Sequence, residues 1–213
     1  MGRGTPQPRK KLYSLQDSDL SKAASTLAKA FNAYPVFEYI IPDASRRNRN
    51  LKYIFRFLLG LGRLHGEVIA PSSKLEGISI WVPSFSPHSS RLDALRAGLL
   101  NLFLHIDTKT IGRLMEIGTI KRKRRDELLG EPYYLCDLIG VDPLQQRQGI
   151  GRIMVETKLI EFDKEKIPCY LETSNLENVF YYRRFGFSPL HQYKIAEVDV
   201  FCLWRKVNAA KAA

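Results

Sequence analysis

Tyr133-Tyr134-Leu135-Cys136-Asp137-Leu138-Ile139-Gly140-Val141-Asp142-Pro143-Leu144-Gln145-Gln146-Arg147-Gln148-Gly149-Ile150-Gly151 is the stretch on which the fold of this chain turns. Residues 133–141 form an apolar run too short for an ordinary helix, and Asp142-Pro143 stops a strand ladder. Beyond the two glycines, Ile153, Met154, Val155, Leu159 and Ile160 fall near helical spacing across residues 152–166. The order is strand, short glycine-bearing loop, helix. Gly149 and Gly151 let main-chain N–H groups approach an anion closely, and the start of a helix adds unpaired donors and a positive dipole end. Such a loop is built to hold a phosphate or pyrophosphate.

Two common phosphate loops do not fit. A Walker loop ends in Gly-Lys-Ser/Thr, whereas Gly151 is followed by Arg152-Ile153; a dinucleotide fingerprint needs three glycines, and this loop has two. Gln146, Gly149 and Gly151 instead match a Gln/Arg-x-x-Gly-x-Gly/Ala signature, preceded by Val-x-Pro at Val141 and Pro143. A second segment follows at residues 167–173, β-like, and then Ser174 with Glu177 in capping-box spacing opens a short helix that stops near Gly186. Asn175, Asn178, Tyr182, Gly186 and Phe187 match Asn-x-x-(Asn/Ala)-x-x-x-Tyr-x-x-x-Gly-Phe. On these two motifs, in this order, the chain resembles the GNAT superfamily of N-acetyltransferases. Tyr134-Leu135 and Leu171-Glu172-Thr173-Ser174 are similar to the branch that includes puromycin N-acetyltransferase-like proteins. The resemblance is specific across about residues 133–188.

The resemblance implies an α/β (α+β) fold, the GNAT fold, with a mixed, mostly antiparallel central sheet flanked by helices. It implies acetyl-CoA as cosubstrate, held by Ile139, Gly140 and Val141 at the strand end, by Gln146, Arg147, Gln148, Gly149, Ile150, Gly151 and Arg152 in the loop, and by Asn175, Asn178 and Tyr182. The amides of residues 147–152 are the main cradle, while Gln146 closes the loop and Asn175 and Asn178 also suit helix capping. Arg147 and Arg152 either screen phosphate charge or stand as solvated cations.

Direct transfer to an amine requires that the amine lose a proton and that the departing thiolate gain one. By resemblance Tyr182 is the acid, its phenol of ordinary pKa about 10 being protonated at neutral pH, with Arg183 and Arg184 as neighbours able to strengthen it. Its bland alternative is a core aromatic. Glu172, at the end of the strand flanking the cleft, is the first candidate for the base, and Asp137 the second. Cys136, Cys169 and Cys202 lie scattered in apolar runs without Cys-x-x-Cys spacing and read as buried reduced thiols. His65, His88, His105 and His191 are not paired at ligand spacing, so no metal is expected.

Upstream, residues 11–15 read as a strand, 17–32 as a helix with Leu20, Ala23, Ala24, Leu27 and Phe31 on one face, 44–64 as a second helix, and 67–71 with 75–83 as a hairpin turning at Ser72-Ser73-Lys74. This is the βααββ opening that the resemblance implies. Phe31, Tyr34, Phe37, Tyr39 and Trp81 are candidate walls of the acceptor site, each equally at home in a core. Residues 88–130, with Leu92, Leu95, Leu99, Leu100, Phe103 and Leu104 at helical spacing, exceed the minimal fold. They are expected as one or two inserted helices before the coenzyme A loop, covering the acceptor cleft, mediating a dimer, or simply adding packing.

With 213 residues, 45% of them hydrophobic, and neither repeats nor a low-complexity linker, the chain reads as a tail at 1–9, an N-acetyltransferase domain at 10–207 and a tail at 208–213. No signal peptide or myristoylation pattern is present, and the apolar stretch at 53–64 is broken by Arg56 and Arg63, so a cytoplasmic enzyme with no membrane partner is expected. The net charge of +11 gathers partly in Lys121-Arg122-Lys123-Arg124-Arg125. That run reads as a solvated helix face, and the rival reading is a nucleic-acid- or ribosome-associated protein using it. A third reading is an acyl-CoA-binding regulator without chemistry. The sequence favours an acetyl-CoA-dependent N-acetyltransferase, monomer or homodimer, acting on a small-molecule amine in preference to a protein amine, with hydroxyl acceptors also open.

Overall fold

The computed structural model describes residues 11–87 and 89–208. The expected tail at 1–9, residues 209–213 of the expected tail at 208–213, and His88 lie outside them. Asn208, expected in the frayed end, is held: its N–H donates to Asp163 Oδ1 at 2.8 Å.

Seven strands form one sheet in the order β1-β2-β3-β4-β5-β7-β6. The opening elements are β1 (Tyr13–Ser14), α1 (Leu20–Ala30), α2 (Pro35–Ile40), α3 (Ala44–His65), β2 (Glu67–Ala70) and β3 (Gly77–Pro83). Strand β1 is shorter than expected, and α2 was not anticipated: Pro35 sits at its first turn, where a missing N–H costs nothing. Then come α4 (Arg91–Arg96), α5 (Leu99–His105) and α6 (Thr108–Leu128), three inserted helices where one or two were expected. Gly98, at φ 101°, turns the chain between α4 and α5, and Asp107 caps α6 by accepting from Thr110 N at 2.9 Å. Strand β4 (Tyr134–Val141), α7 (Ile150–Glu165), β5 (Cys169–Thr173), α8 (Leu176–Arg183), β6 (Ser188–Ile195) and β7 (Val198–Arg205) complete the chain.

All strand pairs are antiparallel except β4 with β5. The sheet is thus mixed and mostly antiparallel, with helices on both sides, as expected. It separates two cores. Leu27, Phe55, Ile78 and Tyr170 lie in the core under α1 to α3, and Trp81, Phe162, Leu171 and Leu203 in the core under α7 and α8. Each such side chain contributes about 1.5–3 kcal/mol by leaving water. Gly60 lets the insertion sit on α3, because a Cβ there would stand 2.8 Å from the Ala97 carbonyl oxygen. At the β6 edge, Pro189 precedes a register irregularity against β7.

Candidate active site

Strands β4 and β5 run side by side only from Tyr134↔Cys169 to Cys136↔Leu171. Beyond that point β4 continues against β3, and β5 continues against β7 through Glu172↔Cys202 and Thr173↔Phe201. The two parallel strands therefore splay apart. The parting coincides with an irregularity in β4: Ile80 pairs with Leu138 but Trp81 with Cys136, so Asp137 is the extra residue of a bulge. The bulge switches the alternation, placing Cys136 in one core and packing Leu138 against the other. It also leaves Asp137 exposed at the mouth of the splay.

The loop after β4 is fixed from within. Asp142 accepts from Leu144 N at 3.0 Å and from Lys29 Nζ at 3.0 Å, and Gln146 Nε2 donates to the Val141 carbonyl at 3.2 Å. Gln146 thus closes the loop, as the sequence suggested. Arg147 at φ 62° and Gly149 at φ 80° give the loop two left-handed turns just before the helix. Helix α7 starts at Ile150, two residues earlier than the apolar spacing indicated, and its N-cap Gly149 offers no side-chain acceptor. Among the described residues no protein acceptor takes the N–H groups of residues 147–152. Unpaired amides at an uncapped helix start, beside Arg147 and Arg152, fit a diphosphate. Arg152 also pairs with Glu156 at 2.9 Å. Gly151 leaves room that a Cβ would narrow to 3.3 Å from the Tyr181 hydroxyl. Gly140 serves the other face, since a Cβ there would lie 2.7 Å from the Phe31 ring.

From the splay a cavity of ≈ 810 Å³ runs under the inserted helices. Phe31, Tyr34 and Phe37, expected as acceptor walls, do line it; Tyr39 and Trp81 do not. The Tyr39 ring lies instead under the Arg113 guanidinium, 5.2 Å away, and Trp81 is buried in the opposite core with Nε1 donating to Ser79 Oγ at 2.9 Å. Helices α4, α5 and α6 contribute Leu95, Leu99, Leu114 and Met115, so the insertion roofs the cavity.

Two carboxylates line it, Asp137 and Glu172. Glu172 is clasped: Lys121 Nζ is 3.2 Å from Oε2, Arg125 Nη1 is 3.6 Å from Oε1, and the Tyr170 hydroxyl donates to Oε1 at 3.0 Å. Burial opposes the charge of Arg125, but Glu172 and Asp137 together push its guanidinium above the ordinary value. Asp137 itself makes no hydrogen bond or ion pair within 4.0 Å among the described residues. The basic run 121–125 is therefore not one solvated face. Lys121 and Arg125 turn inward one helical turn apart, while Lys123 and Arg124 face Glu127, with Arg124 also over the Tyr193 ring.

Tyr182 of α8 lines the same cavity, 6% exposed, with its hydroxyl bonded to no described residue. Burial pushes its phenol well above the ordinary value, so it is neutral throughout the physiological range. The expected help from Arg183 and Arg184 is not seen: Arg183 stacks over Phe180, and Arg184 acts on Tyr181. Asn175, not Ser174, caps α8, accepting from Glu177 N at 2.8 Å, and Asn178 Nδ2 donates to Thr173 Oγ1 at 3.1 Å. A residue whose role sequence reasoning missed is Tyr34. Its hydroxyl accepts from Ser174 N at 2.7 Å and meets Thr173 Oγ1 at 2.9 Å, locking the β5–α8 turn from 139 residues away. The three cysteines are free and buried, with burial raising the thiols of Cys136 and Cys169. Among the described residues no acidic, His and Cys cluster could hold a metal, and no helix is long and apolar enough to cross a membrane.

The profile of the acetyltransferase (GNAT) family matches residues 81–187, half of the chain, taking in the splay, the loop and α8. An uncharacterised N-acetyltransferase of Schizosaccharomyces pombe is 28% identical over 180 residues, 81% of this chain and 72% of that protein. Among solved structures, one described as histone acetyltransferase HPA2 and related acetyltransferase from Corynebacterium glutamicum superposes with a TM-score of 0.67 at 15% identity, covering 93% of this chain and 96% of that one. Arylalkylamine N-acetyltransferase 2 of Aedes aegypti superposes at 0.54 with 8% identity, covering 93% and 99%. At these identities the two structures speak for the fold.

Proposed function

The chain belongs to the acetyltransferase (GNAT) family, whose members use acetyl-CoA, and from that premise we propose that it moves an acetyl group directly onto the amine of a small molecule. The observation that carries this reading is the order of three features: a splay beginning after Cys136↔Leu171, a cavity that joins it to a chamber bordered by the insertion, and, past the end of β4, free amides at residues 147–152. The amides of residues 147–152 hold the diphosphate, and the β5-facing edges of Ile139, Gly140 and Val141 lie along the pantetheine arm. Asn178 lines the cavity, and Asn175 stands at the start of α8. A chamber enclosed by α4 to α6 favours a compact acceptor over a protein substrate.

The chemistry follows from the two polar ends of the cavity. A carboxylate takes one proton from the acceptor ammonium; Asp137 is unencumbered for this, whereas Glu172 acts only if its pairs with Lys121 and Arg125 open. The freed nitrogen attacks the thioester carbonyl, the new C–N bond forms, and the C–S electron pair leaves on sulfur. Tyr182 gives its proton to that sulfur and recovers one from the new amide nitrogen through water. Cys136 stays outside the reaction, because burial raises its thiol and disfavours the thiolate a nucleophile needs. The inward turn of Lys121 and Arg125 takes two of the five cations of the run away from a nucleic-acid partner and commits them to the cavity, which favours the enzyme over its rival. The wording of both motifs supports a place in the branch of puromycin N-acetyltransferase-like proteins, and free buried thiols suit a reducing cytoplasm.

The test is thiol release from acetyl-CoA with a panel of small amines, alongside calorimetry with acetyl-CoA alone. Release with at least one amine and saturable binding are expected. Absence of heat at millimolar acetyl-CoA removes the reading altogether.

A further inference from the structure

We infer that the acceptor is a primary amine carried on a bulky apolar body, an alkyl- or arylalkylamine, with its ammonium seated on Asp137; this deepens the acetyltransferase reading and rests on it. The chamber decides the body. Its ≈ 810 Å³ falls in the range of sites that enclose small ligands. Away from the splay its walls are mostly apolar, with Phe57, Leu61, Leu95, Leu99, Leu114 and Met115 contributed by α3 and the three inserted helices and a polar margin at Ser89, Ser90 and Thr119. A peptide would bring main-chain amides against these walls with few partners, at a cost for each buried polar group. A polyamine would bring a second ammonium, and the charged groups it would meet beyond the splay are Arg91, Arg122 and Lys121, all of its own sign. Methylenes and rings incur neither cost and gain by leaving water.

The head group is decided by what the carboxylates are already doing. Glu172 is neutralised by Lys121 and Arg125, so it has little attraction left for a third cation. Asp137 stands free at the bulge, where the chamber meets the splay, and with the thioester seated in the splay, as the acetyltransferase reading requires, an ammonium there is presented to its carbonyl. The Arg125 guanidinium limits how strongly Asp137 attracts, but it is committed to Glu172.

Calorimetry on the full chain saturated with coenzyme A tests this independently of turnover, using ethylamine, butylamine, hexylamine, octylamine, 2-phenylethylamine, spermidine and a neutral tetrapeptide. The dissociation constant is expected to fall about three- to fourfold per added methylene, with hexylamine and 2-phenylethylamine binding more tightly than spermidine or the peptide. Leu114→Gln should flatten the chain-length dependence and leave coenzyme A affinity and the circular dichroism spectrum unchanged. Asp137→Asn should weaken every amine by a similar factor and keep the slope. A flat series, or tighter binding of spermidine or the peptide, overturns the acceptor class; amine affinities unmoved by Asp137→Asn overturn the seat. If the slope appears but no amine releases thiol, the acceptor class stands and the transfer reading falls.

Discussion

The Tyr182 hydroxyl, to which the proposed reaction assigns the acid role, is engaged by no described side chain or backbone group. Its burial keeps it protonated, which suits a donor to sulfur and also makes it a reluctant one. Tyr182→Phe should lower kcat about 10²-fold while acetyl-CoA affinity changes little; steady-state kinetics with a calorimetric dissociation constant separates the two, and an unchanged kcat removes the acid role. Gly140 makes the opposite kind of claim, one about packing. A methyl group there meets Phe31 at 2.7 Å and Leu27 at 2.9 Å, so Gly140→Ala should destabilise the fold by about 1–3 kcal/mol in urea titrations. The place of Tyr182 on α8, facing the cavity, was legible because its spacing from Asn175 and Gly186 carries it. Tyr34 was not: its partners are Thr173 and Ser174, and no local pattern in sequence announces a contact over that separation.

Helix α8 poses a choice between two roles for one side chain. If Asn175 only caps, Asn175→Asp preserves stability and acetyl-CoA affinity, while Asn175→Ala costs about 1 kcal/mol. If its amide also meets the coenzyme, the Asp variant keeps stability and loses affinity; thermal melts with and without acetyl-CoA distinguish these outcomes. The insertion hangs on another element contact. Gly60→Leu should push the α4–α5 junction off α3, raising KM for the acceptor more than KM for acetyl-CoA in initial-rate measurements. The strand–loop–helix order around Gly149 was readable, since turn residues and apolar spacing agree there. The insertion was readable only as helical. Gly98 falls inside an apolar run and Asp107 stands at its end, and α6 buries only Thr110, Ile111 and Ile117, too little to set its rotation from the pattern alone. Hence the charge of residues 121–125 was plain from the letters, but the inward turn of Lys121 and Arg125 was not.

Across the whole molecule, burial raises the phenols of Tyr170 and Tyr182 and the thiols of Cys136 and Cys169. The unfolded chain releases these protons from pH of about 9 to 10 upward, while the folded chain retains them. The unfolded state then binds fewer protons, so stability falls with rising pH; the contribution is complete below that range and declines above it. The urea midpoint should therefore be lower at pH 10 than at pH 8, and a midpoint that does not move contradicts the assignment.

The margins of the sheet carry a last consequence. On one side β1 offers two residues; on the other, β6 holds Pro189, which has no N–H to give, next to an irregular step and an outward Lys194. Both borders are poor templates for a foreign strand. Edge-to-edge stacking of folded copies is disfavoured at each margin, by brevity at one and by a missing donor and a charge at the other.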